Sequence, residues 1–239
     1  MNYCTSTSRS SFRAAPSPVW SSSRRQCAST VEGVTGPGLA WQPSLLDGGA
    51  VEVDATFAGL HRRQLAEGAW VDHQPGWCAG ADELFARLLE QTPWRGRTVH
   101  MYDREVVEPR LTHRWVLDEG PLPPDDLQAM ARVLSDHYGV RFTQVGVNLY
   151  RDGADSVAWH GDRVARELPE ATVALVSLGA IRPFRLRPTG GGPSELYRPG
   201  PGDLLVMGGS CQRTWQHSVP KSRGVGPRIS VQFRHAYDR

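Results

Sequence analysis

At 239 residues the chain is long enough to bury a sizeable core, as one domain with extensions or as two small domains. Its formal charge of +2 makes no case for a nucleic-acid partner by total charge, so any such case rests on where the charges lie. No apolar run approaches the ~20 residues of a membrane helix, and Cys4, Cys27, Cys78 and Cys211 show no CxxC spacing, so neither a zinc knuckle nor a disulfide framework is indicated. A soluble, cytoplasmic protein is expected. All basic residues except Lys221 are arginine, a skew that fits a GC-rich genome as well as a preference for bidentate contacts with phosphate and carboxylate.

Residues 1–40 are rich in Ser, Pro, Gly and Arg and read as a disordered tail without chemistry. Arg without acid over the first stretch is also the composition of an organelle transit peptide. No amphipathic Arg/Leu face emerges, which favours a tail or a misplaced start codon. A single domain is expected over residues 41–239.

From Trp41 the pattern is mixed strand and turn. "ADELFARLLEQ" then places Leu84, Phe85, Leu88 and Leu89 on one helical face. "PPDDLQAMARVLSDHYG" opens on prolines and acids, repeats apolar residues at Leu127, Met130, Ala131, Leu134 and Tyr138, and stops at Gly139. Both are expected to be packing helices.

After Gly139 come short strands separated by Gly/Pro turns: "TQVGVNLY", "ATVALVSLG", "PFRLRP", "GDLLVMGG", "RTWQHSV" and "RISVQFR". Without helices between them they predict a sandwich or jelly roll over about residues 140–236, not a doubly wound sheet. The Gly190–Gly192 triplet reads as a hairpin turn.

In "WHGD", His160 and Asp162 stand two residues apart, which fits a hydrogen-bonded turn or part of a metal site. His217 lies on a later strand, and jelly-roll strands can return it to the first pair. Two imidazoles and one carboxylate on one face of an iron leave positions open for cosubstrate and oxygen, as in non-haem iron oxygenases. Alternation in "RISVQFR" turns Ile229, Val231 and Phe233 to the core and Arg228, Ser230, Gln232 and Arg234 to the other face. The two guanidiniums can reach a short dicarboxylate between them; an edge strand with solvated arginines is the plainer reading. Asn148 and Tyr150 share one side of an earlier strand and offer an amide and a phenol to the same acid.

Taken together, "NLYRDG", "WHGD", "VSLG", "FRLRP", "GDLLVMGG", "HSVPK" and "RISVQFR", over residues 144–235, resemble the AlkB-like family of Fe(II)- and 2-oxoglutarate-dependent dioxygenases. "MYDREVVEPRL", within Trp94–Arg114, is similar to the family's nucleotide-recognition lid, placed at about residues 94–118. The resemblance implies a mainly β, α+β fold: a double-stranded β-helix (jelly-roll) core with N-terminal packing helices. It implies that His160, Asp162 and His217 hold Fe(II) and carry catalysis. Arg228 would pair with the distal carboxylate of 2-oxoglutarate, helped by Tyr150 and Ser230, with Arg234 and Asn148 near its chelating end.

The implied reaction decarboxylates 2-oxoglutarate to succinate with O2 and oxidises an N-alkyl group of the 1-methyladenine or 3-methylcytosine type, releasing formaldehyde. A monomer acting on alkylated DNA, and on RNA in a second reading, is expected, with the base flipped or single-stranded. Tyr102 is the candidate stacking surface, with His160 opposite and Trp115 and Trp159 as further aromatics. Arg95, Arg97, Arg104, Arg110 and Arg114 surround the lid and suit phosphate contact.

Two departures stand out. Some family members carry an acid two residues after the iron-binding Asp, where it helps to read an exocyclic amine; here that position is Val164. Gln232 stands where a small hydroxyl residue is expected. The alternatives are an oxygenase acting on RNA or a protein side chain, and a catalytically silent lesion-binding module.

Overall fold

The computed structural model describes residue 39 and residues 49–101, 104–164 and 167–235. The expected tail and Tyr102 lie outside the described residues. In chain order the elements are β1 (Glu52–Val53), β2 (His61–Gln64), β3 (Trp70–Gln74), β4 (Cys78–Ala79), α1 (Ala81–Gln91), β5 (Arg95–Met101), β6 (Arg104–Val116) and α2 (Asp125–Tyr138). There follow β7 (Gln144–Tyr150), β8 (Val157–His160), β9 (Val173–Gly179), β10 (Phe184–Pro188), β11 (Glu195–Tyr197), β12 (Leu204–Gly208), α3 (Cys211–Thr214), β13 (Trp215–Val219) and β14 (Arg228–Arg234).

Eight strands form one antiparallel sheet in the order β2-β3-β12-β9-β14-β7-β6-β5, and four form a second, β11-β10-β13-β8. The expected mainly β architecture with packing helices is therefore present. Strand alternation divides the interior into two cores. Val145, Val147, Leu149, Ala174, Val176, Leu178, Ile229, Val231 and Phe233 turn one face of the large sheet to Leu84, Phe85 and Leu88 of α1 and Leu127, Met130 and Leu134 of α2. Val173, Leu175, Leu205 and Met207 turn the opposite face toward Phe184, Leu186 and Val219 of the small sheet.

Both helices match their sequence signals. α1 carries Asp82 and Glu83 in its first turn and α2 carries Asp125 and Asp126 after Pro124, as the helix dipole favours. The glycine triplet falls in the connection of the antiparallel β10–β11 hairpin. Short β8 and β11 escape the strand pattern, because half-exposed segments of three or four residues carry too few alternations to read.

β14 is not an edge strand. It lies between β7 and β9, in register from Arg228↔Tyr150 to Arg234↔Gln144 on one side and from Arg228↔Gly179 on the other. Where the lid is expected, β5 and β6 pair antiparallel, and β6 continues into the large sheet by pairing with β7 from Leu111↔Leu149 to Val116↔Gln144. Trp115 faces the helix-side core and so is not available to stack on a base.

Candidate active site

Between the two sheets lies a cavity of about 1210 Å³. Its floor is the polar face of β6, β7 and β14, and its other wall includes Val157, His160, Phe184, His217 and Val219. The central position of β14 explains why four polar side chains of "RISVQFR" are buried, or nearly so, instead of solvated.

His160 and His217 are directly opposed across the β8–β13 pair, and an irregularity between His217 and Val219 follows in that ladder. Asp162 lies two residues past His160. The three side chains bring one ligand atom each within 4.8 Å of one another. His160 Nε2 is 3.7 Å and His217 Nε2 is 3.9 Å from Asp162 Oδ1. His160 Nδ1 donates to the Ala158 carbonyl at 2.9 Å, so that in the neutral ring Nε2 carries the lone pair that a metal would take. The Asp162 backbone is tied by its N–H to Gln212 Oε1 at 2.9 Å.

Electrostatics set the protonation a metal needs. Burial works against ionisation of Asp162, but the Arg234 guanidinium, with His217 and His160, holds its carboxyl well below the usual range. Burial, reinforced by His160, pushes His217 down to about 3, so its imidazole is neutral. A deprotonated carboxylate and neutral imidazoles are the forms that bind a divalent ion. The donor set therefore fits Fe(II).

The cosubstrate residues converge beside it. Arg228 is 1% exposed, and its Nε donates to Ser177 Oγ at 3.0 Å. Its Nη1 and Nη2 are buried without a protein partner, which fits a carboxylate. Burial pushes this guanidinium down to about 10, still cationic at neutral pH. It lies over the ring of buried Tyr150, 5.5 Å from the centroid. Asn148, Ser230 and Arg234 line the same cavity, and Arg234 Nε donates to Asp162 Oδ2 at 2.8 Å.

The substrate candidates are placed less uniformly. Arg95, Arg110 and Arg114 line the cavity, whereas Trp159 lies outside it with the Arg187 guanidinium 4.2 Å from its ring centroid. Arg110 is not set for phosphate alone, because Glu108 shares its place in the wall. The sequence reading passed over Ser177, Gly146, Gln212 and Arg182. Ser177 had a visible signal as the lone hydroxyl of an otherwise apolar strand. Arg182 had none: it is fully buried and donates to the carbonyls of Asp152, Asp155 and Pro220, tying together the loops behind Tyr150.

The sequence model of the 2OG-Fe(II) oxygenase superfamily matches residues 78–234. Alpha-ketoglutarate-dependent dioxygenase alkB homolog 3 of Bos taurus is 30% identical over 209 residues, covering 79% of this chain and 71% of that protein. The chain belongs to the AlkB-like 2OG-Fe(II) oxygenases. The human alkB homolog 3 is 29% identical over 82% of this oxygenase and 74% of its own length. DNA oxidative demethylase ALKBH2 of Arabidopsis thaliana is 29% identical over 63% of this oxygenase and 60% of its own length. This oxygenase is accordingly an oxidoreductase that uses Fe(II), 2-oxoglutarate and O2. Among the described residues no helix is long and apolar enough to cross a membrane.

Proposed function

We propose that this oxygenase removes alkyl groups oxidatively from N-alkylated bases of the 1-methyladenine or 3-methylcytosine type in DNA, with RNA as a second substrate. One observation carries the reading: the His160–Asp162–His217 cluster opens into the same cavity as the unpartnered Nη atoms of Arg228. The names of the relatives, a DNA oxidative demethylase among them, point the same way.

His160, Asp162 and His217 hold Fe(II). Arg228, oriented by Ser177 and seated on Tyr150, would take the distal carboxylate of 2-oxoglutarate with Ser230, and Arg234 and Asn148 would serve its chelating end. Fe(II) and 2-oxoglutarate, with O2 as the oxidant, would supply the oxidation of the alkyl carbon, one oxygen atom going to succinate and the other to the carbon released as formaldehyde, with carbon dioxide as the third product. The chain supplies orientation and charge. Arg234 keeps Asp162 ionised through its 2.8 Å hydrogen bond. The His160 ring, its side chain 38% exposed, presents a face to an entering base. Arg95 and Arg114, at the mouth, suit the phosphates on either side of a flipped or single-stranded nucleotide. Tyr102 is proposed as the stacking partner of that base. The reading carries with it a monomer working in the cytoplasm.

The test is anaerobic loading with Fe(II) and 2-oxoglutarate, then O2 and a methylated single-stranded oligonucleotide, followed by mass spectrometry. Loss of the methyl mass only with all components present, and its disappearance in His160→Ala and Asp162→Ala, is expected. Succinate without loss of the methyl group moves the substrate to a protein or another nucleic acid; neither signal overturns the reading in favour of a binding module.

A further inference from the structure

We propose that Glu108 is the residue that selects the base, accepting a hydrogen bond from the exocyclic amine of a cationic lesion while Arg110 addresses a neighbouring acceptor. The inference rests on the dealkylation reading above and deepens it.

The placement follows from the β6–β7 register and the lining of the cavity. Thr112↔Asn148 pairing between β6 and β7 puts Thr112 on the face that carries Asn148 and Tyr150, and across the register irregularity that follows in β6 Arg110 and Glu108 also reach the cavity. All five line the cavity. The side chains of Glu108 and Arg110 are only 17% and 16% exposed, with Nη2 of Arg110 3.2 Å from Oε2 of Glu108. Yet that oxygen, and Arg110 Nε beside it, are buried with no hydrogen-bond partner. A desolvated acceptor and a desolvated donor held side by side match a ligand edge that offers a donor and an acceptor.

Charge identifies that ligand. Asp162 and Glu108 are the only carboxylates among the described cavity-lining residues, and Asp162 is engaged by Arg234 in the metal cluster. Arg95, Arg110, Arg114, Arg163 and Arg228 line the same space. A phosphate in the Arg110 position would meet the Glu108 carboxylate. A base that N-alkylation has made cationic needs a counter-charge in this arginine-rich wall, and Glu108, ion-paired to Arg110 but outside the metal cluster, is the carboxylate placed to provide it. 1-Methyladenine and 3-methylcytosine carry both the positive charge and an exocyclic amine; 3-methylthymine is neutral and presents a carbonyl in the corresponding place. The metal-binding loop offers no substitute, since Asp162 is followed by the cation Arg163 and by Val164, which is fully buried in the apolar core between the sheets.

The experiment compares single-stranded oligonucleotides bearing 3-methylcytosine or 3-methylthymine, using the wild-type chain and Glu108→Gln. Gln preserves size and packing while removing the charge. The ratio of kcat/KM for the two bases, measured within one variant, does not depend on the fraction of molecules folded. Wild type is expected to favour 3-methylcytosine, and Glu108→Gln to lower the ratio by roughly tenfold or more, mainly through KM for 3-methylcytosine. Equilibrium binding of the same oligonucleotides under nitrogen should shift in parallel. Activity with an unchanged ratio overturns the role of Glu108 and leaves the dealkylation reading standing. A wild-type chain that turns over neither base overturns both.

Discussion

Arg234 donates from Nε to Oδ2 of Asp162 at 2.8 Å, so the strand that carries the cosubstrate arginines also holds the carboxylate of the metal cluster. The fit around it is close: a Cβ on Gly146 would lie 3.1 Å from Arg234 Nη1 and 3.3 Å from Gln232 Oε1, so these side-chain ends would have to give by a few tenths of an ångström. Arg234→Lys keeps the charge but not the fork, and Gly146→Ala crowds the fork only slightly. Arg234→Lys should weaken Fe(II) binding by about 10- to 100-fold, the usual effect of losing a partner that orients a ligand, and Gly146→Ala should weaken it less. Anaerobic Fe(II) titration measures it. Because Arg234 keeps the Asp162 carboxyl ionised, Arg234→Ala should also move the acid limb of the activity profile to higher pH.

Arg228 presents two open Nη atoms, and Ser177 aims them by accepting from Nε. Replacing the fork by a point charge in Arg228→Lys should raise KM for 2-oxoglutarate by roughly 10- to 100-fold. Ser177→Ala should raise it severalfold, leaving the charge in place but free to turn. Succinate formation at varied 2-oxoglutarate gives both constants; an unchanged KM in Arg228→Lys would move the distal carboxylate elsewhere.

Stability should decline on acidification through Asp203. Burial would raise its pKa, but His73 and the backbone N–H groups of Gly76 and Gly200 hold the carboxyl below its ordinary value. A carboxyl depressed in the folded state stabilises the fold above its unfolded pKa, and that contribution is lost as pH falls through the folded value. The loss should therefore begin below about pH 4. Asp203→Asn should cost roughly 2 kcal/mol at neutral pH and flatten the slope between neutral and acid conditions, as read by urea unfolding.

Gly179 ends β9 with φ at +77°, opposite Arg228 in the ladder. A Cβ there would lie 2.7 Å from the Pro227 carbonyl and 2.8 Å from the Phe85 ring. Backbone and a packed aromatic cannot both yield, so Gly179→Ala should destabilise the fold by roughly 2–4 kcal/mol. Chemical denaturation measures this, and a cost below 1 kcal/mol would count against the close approach.

Local signals in the chain were sufficient for much of this protein. The apolar spacing of α1 and α2 needs only 3.6-residue periodicity, and the alternation of "RISVQFR" needs only a two-residue one, so helices, strands and the polar face of β14 are legible in the order of residues alone. That His160, Asp162 and His217 come together was expected from the order of the motifs and the family they resemble, since His-x-Asp alone fits a turn and the arginines of "RISVQFR" alone fit an edge strand.

Tertiary structure decided what alternation leaves open. Whether β14 is edge or centre depends on β7 and β9 arriving on either side, which no pattern within seven residues encodes. The same long-range pairing sends Trp115 into the core, leaves Trp159 outside the cavity and gathers Glu108, Arg110 and Asn148 into one wall. Those positions are fixed by contacts between distant segments, where packing and the burial of charge outweigh local preference.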